Sequence, residues 1–324
     1  AVLGGLGKEG LFSSWREPAG PEEAPEGPID TLLVDRVNPL FTAPEAWKPA
    51  FEKAPLVVTV SPFLTETAEY SDLVLPCLTP LERPHCSLHR MLDGRSVLNA
   101  APRAVEALPG AKAPGEIFFL IAKAGGLRGL DAADFDSLLG AEAAKLGAQD
   151  LLEEGSMVRW RELPRTGESR LSFAAPSGRF EFGTLTKLLA EPDSRLRLET
   201  DEDYPLSLNI FVPLPFSRGE GGHLPFLLSI AGVQGHEMWG SWAELHPETA
   251  KKSAVADGDE VRVLSRKGSI RLKARVLPSA VPGVVSVPFG LGHSACGRWA
   301  KGVGADPLAV AGSFEGTRVR IERI

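Results

Sequence analysis

The pattern of apolar residues changes along the chain. In its first third, short apolar runs at Thr31–Val34, Pro55–Val60 and Leu73–Pro76 alternate with helically spaced segments at Pro44–Lys53 and Thr65–Tyr70. Runs that are apolar on both faces are typical of parallel strands covered by helices. The order strand, helix, strand, turn, strand therefore predicts half of a doubly wound, Rossmann-like α/β domain, which a helix at Gly115–Ala124 closes.

From Tyr204 onward the pattern is mostly that of β-strands. Glu260–Ser265 and Ser269–Val276 flank a short turn, and apolar and basic residues alternate along the second of these strands. A period of two predicts half-buried antiparallel strands with the basic face in solvent. Further strands are predicted at Val284–Pro288 and Arg318–Ile321, so this part of the chain is expected to form a mainly β barrel.

These patterns divide the chain into three parts. Residues 1–30 are an irregular lead-in rich in Gly, Pro and Glu, 31–200 are a partial α/β domain, and 201–324 are the barrel. Within the α/β domain we expect a helical insert at Asp131–Glu154 and a hairpin at Ser172–Phe182.

Composition and charge exclude several classes of protein. The net charge of −7 disfavours a general nucleic-acid binder, and no apolar run approaches the roughly 18 residues of a membrane-spanning helix. The three cysteines show no metal-ligand spacing. His85 and His89 are four residues apart, but Pro84 argues against a helix there, so no metal site is predicted.

Three motifs occur in the order and spacing of one known family. They are Asn38-Pro39 with Thr65–Ala68, Ser71–Pro76 and Glu82; then Ala175–Glu181; then His246–Ala250 with Asp257–Gly268. Together they resemble the signatures of the molybdopterin oxidoreductases of the dimethyl sulfoxide reductase superfamily. The resemblance implies a double-psi β-barrel at the C-terminus and a molybdopterin guanine dinucleotide as cofactor.

Two further segments narrow the resemblance. Arg218–His223 and Pro288–His293 look most like a respiratory branch, which includes polysulfide-reductase-like enzymes, the quinone reductase complex of sulfate reducers and alternative complex III. Family members carry iron–sulfur cysteines and a metal-ligating residue in an earlier part of a longer chain. Neither is present here, so we expect a C-terminal portion or a separated subunit, with no catalytic residue and no metal ligand of its own.

Two functions follow from the resemblance and stay open. The first is the cofactor-binding portion of a molybdopterin-dependent oxidoreductase in respiratory electron transfer. The second is a cofactor-free scaffold or electron-transfer subunit of a quinone-linked membrane complex, because Arg83–Arg95 departs from the family pattern and some respiratory relatives carry no molybdenum. A weaker third hypothesis is a free-standing barrel that binds a peptide or small ligand.

A long polyanionic cofactor with ring systems is bound by the backbone N–H groups of glycine-rich turns, by cationic side chains and by carboxylates. In a parallel sheet, such a ligand lies beyond the carboxyl ends of the strands. The candidate cofactor contacts are therefore Asn38, Ser61, Thr65, Glu66, Asp72, Ser217, Arg218, Gly219, Gly222, His223, His236, Trp239, Gly292, His293 and Asp306. The competing structural interpretation makes Thr65 a helix cap, Glu66 a helix-dipole partner and the glycine-rich loop a flexible surface loop.

The resemblance also implies partners and a location. Iron–sulfur clusters are expected only in an N-terminal remainder or in a partner subunit, and quinone-binding subunits are expected in the membrane. The complex is expected on the periplasmic side of the cytoplasmic membrane; outside such a complex the expected location is the cytoplasm.

Overall fold

The computed structural model describes residues 28–91, 95–126, 131–145, 150, 159–163, 177, 201–217, 219–230, 237–314 and 316–324. The lead-in up to residue 27, the predicted hairpin apart from Ser177, and part of the predicted helical insert lie outside the described residues. The predicted domain boundaries stay predictions.

A three-stranded parallel sheet forms from the apolar runs of the first third. Its strands are β1 (Leu32–Asp35), β2 (Val57–Ser61) and β3 (Leu73–Pro76), in the order β1-β2-β3. Every residue of β2 is buried, as expected for a central strand with both faces covered. The parallel sheet agrees with the predicted α/β arrangement, while its assignment as Rossmann-like stays a prediction.

Three short helices connect these strands: α1 (Pro39–Thr42), α2 (Pro44–Lys53) and α3 (Glu66–Tyr70). Pro44 stands in the first turn of α2, where its missing N–H costs nothing. Phe51 of α2 is 2% exposed and packs against Leu32, Val34 and Val57 of the sheet. The bounds of α2 are those that the apolar spacing predicts.

A second sheet lies in the middle of the chain and was not predicted. Strands β4 (His85–Arg90), β5 (Ser96–Ala101) and β6 (Arg159–Leu163) pair antiparallel in that order. Helices α4 (Pro114–Ala124) and α5 (Phe135–Lys145) follow β5. Ile117 of α4 packs against Val60 and Cys77, which attaches α4 to the parallel sheet.

The C-terminal part is a closed barrel of six strands. They are β7 (Leu206–Phe211), β8 (Trp242–Leu245), β9 (Glu260–Leu264), β10 (Ser269–Val276), β11 (Val284–Pro288) and β12 (Thr317–Arg323). Their order around the barrel is β10-β8-β11-β7-β12-β9, with parallel pairs at β10–β8 and β11–β7. The predicted mainly β barrel is confirmed, and its double-psi type stays a prediction.

Three short helices lie between the barrel strands: α6 (Pro225–Leu228), α7 (Pro247–Lys252) and α8 (Leu308–Ala311). The barrel core holds fully buried side chains such as Val261, Leu245 and Val287. Two loops of the barrel, at 212–217 with 219–223 and at 289–306, face the α/β region.

The basic face of β10 is less open than its alternation predicts. Arg271 and Lys273 are exposed, but the Arg275 side chain is only 17% exposed and forms an ion pair with Glu237. Lys273 also approaches Glu237, with 3.6 Å between Nζ and the carboxylate. The expectation of a fully solvated face is wrong at Arg275, because Glu237, just ahead of β8, lies on this face of the barrel.

Truncating a core residue of the barrel should be costly. Leu245 is 0% exposed in the largest core cluster, so Leu245→Ala should lower the free energy of unfolding by about 2–5 kcal/mol. Leu214 is 96% exposed, and Leu214→Ala should change it by no more than about 0.5 kcal/mol. Urea denaturation followed by tryptophan fluorescence measures both, and equal shifts in the two variants would contradict the assignment of this core.

Candidate functional site

The parallel sheet and the barrel meet at the carboxylate of Glu66. Glu66 begins α3, which follows the carboxyl end of β2, and its Oε1 accepts backbone hydrogen bonds from Ser294 at 2.8 Å and Ala295 at 3.1 Å. Two amides of one barrel loop thus bind a side chain of the α/β region. The carboxyl edge of the sheet therefore faces the glycine-bearing loops of the barrel.

His293 is the second member of this contact. It is 2% exposed, its Nδ1 lies 3.0 Å from Glu66 Oε1, and its Nε2 lies 3.0 Å from the carbonyl oxygen of Gly219. Both partners are acceptors, so both hydrogen bonds form only when each ring nitrogen carries a proton. Phe41 stacks on the imidazole with 3.7 Å between ring centroids. We call Asn38, Phe41, Glu66, Gly219 and His293 the junction cluster.

The charge of Glu66 is strongly stabilised. Burial by itself raises the pKa of this carboxyl, but hydrogen bonds from His293 and Asn38 outweigh it and lower the pKa to about 2. Asn38 Nδ2 donates to Glu66 Oε2 at 2.7 Å. A buried carboxylate with this many donors is therefore ionised at neutral pH.

The amide and hydroxyl side chains near Glu66 form hydrogen bonds within the α/β region. Asn38 Oδ1 accepts hydrogen bonds from the backbone N–H and the hydroxyl of Thr67, at 3.1 and 2.8 Å. Thr65 Oγ1 accepts from the Ala68 N–H at 3.2 Å, which caps α3 as the structural interpretation predicts. Ser61 Oγ donates to the Phe63 carbonyl at 2.7 Å. These predicted contacts lie at the carboxyl edge but already have protein partners.

Asp72 is not brought to the same edge. It directly precedes β3, and its Oδ2 accepts a hydrogen bond from the Val57 N–H at 2.8 Å, at the start of β2. Both positions are at the amino ends of parallel strands, opposite Glu66. Asp72 joins two strands there, away from the other predicted contacts.

The glycine-rich barrel loop is packed against the α/β region. Gly219 is buried with φ of 96°, and a Cβ there would lie 2.5 Å from the Phe41 ring. A Cβ on Gly222 would collide with the carbonyl of Gly290. Glycine is therefore required for close approach, and the expectation of a flexible surface loop is wrong at these two positions. Ser217, in contrast, is exposed.

One ring nitrogen of His223 is buried without a hydrogen bond to any described residue. This atom is Nε2, and the His223 ring lies 4.1 Å from that of Phe63. Burial, together with the charge of His293, lowers the pKa of His223. An unpaired buried group costs about 1–3 kcal/mol and is expected where a ligand supplies the missing partner.

Asp306 is held beside the junction cluster. Gly292, with φ of 87°, packs directly on the backbone of Asp306. Asp306 Oδ1 accepts a hydrogen bond from the Leu308 N–H at 2.9 Å, while no described residue donates to its Oδ2. Burial raises the pKa of Asp306 to about 6.

An open groove of about 420 Å³ runs between the two regions at Asp306. Pro44 and Glu45 line it from α2, and Lys267, Asp306 and Gly312 line it from the barrel. Lys267 Nζ and Glu45 Oε2 lie 3.4 Å apart. Lys267 was not predicted as a site residue, because a lysine in a β-turn is common. The only sequence feature that could have pointed to it is its position beside Gly268 in the third motif.

Trp239 is the last predicted contact among the residues that the structure describes. Trp239 is 46% exposed and lies 6.1 Å from Trp299, whereas Trp242 is 3% exposed and packs against Phe211. Trp242 is thus a packing residue. Arg218 and His236 lie outside the described residues.

One group of side chains has the composition of a metal site. Ligand atoms of Glu66, His293 and Cys296 lie within 4.8 Å of one another. However, burial raises the pKa of the Cys296 thiol to about 12, and the other two side chains are engaged in the junction cluster. We therefore assign no metal to these residues.

Comparison with known proteins gives two kinds of match. Residues 231–317 match the Molydopterin dinucleotide binding domain family. Over 91% of this chain and 44% of the other, the fold matches that of acetylene hydratase from Pelobacter acetylenicus, with a TM-score of 0.62 and 18% identity. None of the helices in the described part combines the length and apolarity that a transmembrane segment requires.

Several relatives are named as molybdopterin-binding or molybdopterin-containing subunits. The menaquinone reductase molybdopterin-binding-like subunit of Nitratidesulfovibrio vulgaris is 29% identical over 90% of this chain and 39% of that protein. The molybdopterin-containing subunit of the arsenate respiratory reductase of Shewanella sp. (strain ANA-3) is 24% identical over 91% of this chain and 45% of that protein. The chain thus spans about two fifths of the length of these relatives.

The junction cluster should make stability depend on pH. The pKa of Glu66 is lower in the folded state, so its contribution is complete above pH 4.5 and is lost as pH falls towards 2. The difference in unfolding free energy between wild type and Glu66→Gln should shrink by about 3 kcal/mol between pH 5 and pH 2. Chemical denaturation at a series of pH values measures this difference.

Glu69→Gln is the matched control, because Glu69 is an exposed carboxyl of the same helix. Its difference from wild type should stay within about 0.5 kcal/mol at every pH. If Glu66→Gln followed the pH profile of wild type in parallel, the proposed energetic role of the junction would be wrong.

Proposed function

Because the chain belongs to the molybdopterin oxidoreductases of the dimethyl sulfoxide reductase superfamily, we propose that it is the dinucleotide-binding C-terminal portion of such an enzyme. In this proposal the parallel sheet is part of a Rossmann-like domain and the barrel is of the double-psi type. The bound group is molybdopterin guanine dinucleotide. The observation that carries the proposal is the groove between the start of α2 and the barrel. Helix α2 follows α1, which comes after the carboxyl end of β1, and parallel sheets bind nucleotides beyond the carboxyl ends of their strands.

The side chains around this groove fit a phosphorylated ligand. The exposed ammonium of Lys267 would pair with a phosphate, and the unused Oδ2 of Asp306 would accept N–H groups. On the Phe63 side of the junction, the unpartnered Nε2 of His223 would bind a polar ring edge. A pocket of this size lies within the usual range of about 300–1,000 Å³ for small-molecule and cofactor sites.

The residues of this chain would bind and orient the ligand. When bound, the cofactor supplies the metal and carries the electron-transfer chemistry. The junction cluster would hold the sheet and the barrel in a fixed relative position. The stacked rings of Phe41 and His293 would exclude water from the interior side of the groove. No acid, base or metal ligand is assigned to the chain.

The names of the relatives support a respiratory role. One is a menaquinone reductase subunit, one belongs to an arsenate respiratory reductase, and one is the molybdopterin-containing subunit of the thiosulfate reductase of Salmonella typhimurium, 26% identical over 83% of this chain and 38% of that protein. We propose that this chain likewise works with iron–sulfur and quinone-binding partners. The proposed location is the periplasmic side of the cytoplasmic membrane.

Cofactor content of the full-length native protein tests the proposal. We expect molybdenum or tungsten by elemental mass spectrometry, and pterin fluorescence together with GMP after acid release. Ala309 is an exposed residue lining the groove, so Ala309→Trp should fill it and lower the pterin content at least tenfold. Ala256→Trp, at another exposed barrel position, should leave the content unchanged.

A cofactor-free scaffold is the second candidate, and a specific observation favours it. Asn38, Ser61, Thr65 and Glu66 direct their polar groups at protein partners. Strand β4 lies within the stretch that departs from the family pattern and pairs with β5, which follows it. The relative in menaquinone reductase is itself named molybdopterin-binding-like. Absence of both metal and pterin from an intact native complex would reject the first candidate and support this one.

A further inference from the structure

An exposed apolar patch surrounds α6 on the barrel. Its members are large apolar side chains that remain open to water: Leu64, Leu224, Phe226, Trp239 and Trp299. We propose that this apolar patch is the surface on which the remainder of the full-length polypeptide, outside this chain, packs. The inference rests on the proposed function, in which the chain is one portion of a longer enzyme, and it assigns the interface between the two portions to particular residues.

Backbone hydrogen bonds join the loops that carry the patch. The Trp239 N–H donates to the carbonyl of Leu228, at the end of α6, at 3.1 Å, and the ring centroids of Trp239 and Trp299 lie 6.1 Å apart. The N–H of Cys296, which precedes Trp299 in the same loop, donates to the Leu64 carbonyl at 2.8 Å. The patch thus continues from α6 across the barrel loop to the α/β region.

The same area closes on itself at the start of α6. Phe63, beside Leu64, lies against His223, with 4.1 Å between the ring centroids, and His223 directly precedes Leu224. Both regions of the fold therefore contribute to one continuous surface. A continuous exposed apolar surface is typical of an interaction site.

The backbone at Trp239 is held in a costly conformation. Its φ is 61°, in the left-handed region that a bulky residue rarely adopts. Such a conformation persists only where the surrounding structure holds it, and it is most common at functional positions. Because the ring of Trp239 is half exposed, the strained backbone directs a large aromatic side chain to the surface. Tryptophan is the residue that most often anchors a protein interface.

The charges around the patch favour a protein over a membrane. Residues 221–230 contain no Asp, Glu, Lys or Arg. At the rim, the Arg298 guanidinium lies 4.8 Å from the centroid of the Trp299 ring, and Lys301 is exposed. Anionic lipid is usually bound by a cluster of about 4–8 cations, and the chain as a whole carries a charge of −7. An apolar centre with two cations at its edge instead fits a protein surface that is apolar at its centre and acidic opposite Arg298.

The length of the relatives identifies the source of this protein surface. The chain covers 39% of one relative and 45% of another, so in the proposed function more than half of the enzyme lies outside it. Permanent interfaces are large and more hydrophobic than transient ones, like a domain core cut in half. An apolar patch shared by two regions of one portion is such a half, and the remainder of the same polypeptide is its occupant.

Photo-crosslinking in the full-length native protein tests the inference. Phe226 is replaced by the photoreactive amino acid p-benzoylphenylalanine, which keeps an aromatic side chain at a position that is 74% exposed within this chain. We expect crosslinks, identified by mass spectrometry, to a peptide of the same polypeptide outside these 324 residues. The matched control is the same replacement at Val281, another exposed apolar residue of the barrel, which should not capture that peptide.

The contrary results differ in what the probe captures. Crosslinks confined to these 324 residues, crosslinks to lipid or to a separate subunit, or no crosslink at all would overturn the inference. Equal capture of the same peptide from Val281 would overturn the assignment to this patch. A native polypeptide that consists of this chain alone would also overturn it.

A charge in the patch should loosen the full-length protein. Phe226→Asp buries an unpaired carboxylate against the apolar partner surface, so trypsin should release peptides of the remainder at least about fivefold faster than from wild type. Val281→Asp should leave that rate unchanged. The wild-type rate in Phe226→Asp would contradict the inference, and if this variant does not accumulate, the crosslinking result decides.

The inference and the proposed function fail separately. Native protein that contains metal and pterin, but in which residue 226 captures no outside peptide, contradicts the patch assignment alone. A crosslink to the remainder in a native protein that lacks metal and pterin leaves the interface in place and contradicts the proposed cofactor binding.

Discussion

The contact between the Glu66 carboxylate and the His293 imidazole determines how the two regions of this protein fit together. Both groups are almost completely withdrawn from water, with side chains 10% and 1% exposed. A buried charge is tolerated only when its partners are in place, and here the partners come from the other region of the fold. Correct docking of sheet on barrel is therefore the condition under which the buried Glu66 charge is stable, which makes the relative position of the two regions specific.

Much of the secondary structure can be predicted from local pattern, because period and turn chemistry act over a few residues. The bounds of α2, β3, β10 and β11 agree with the pattern, as do the buried positions of Ile270 and Leu272 in β10. The sheet of β4, β5 and β6 escaped prediction because Leu98 pairs with Arg161, far along the chain and with no shared local signal. The same reason hides the contact of Glu66 with His293, which are 227 positions apart.

Only some of the site residues could be predicted from the sequence. Gly219 and His293 could be predicted because both lie in segments that resemble the family. The structure brings them together: His293 contacts both the Gly219 carbonyl and the Glu66 carboxylate. The sequence does not tell whether a polar group faces a ligand or a neighbouring backbone amide, which is why Asn38 and Ser61 prove to have protein partners. Lys267 lines the groove only because folding places it opposite Glu45.

The chain order of the junction has a consequence for biosynthesis. Phe41 and Glu66 leave the ribosome more than 200 residues before His293, which covers them. The barrel cannot shield them earlier, since β12 closes it between β7 and β9. During translation, the Phe41 ring and the Glu66 carboxylate therefore remain without their barrel partners on the nascent α/β region. A folding intermediate that exposes such an apolar surface is prone to aggregation until the barrel has docked on it.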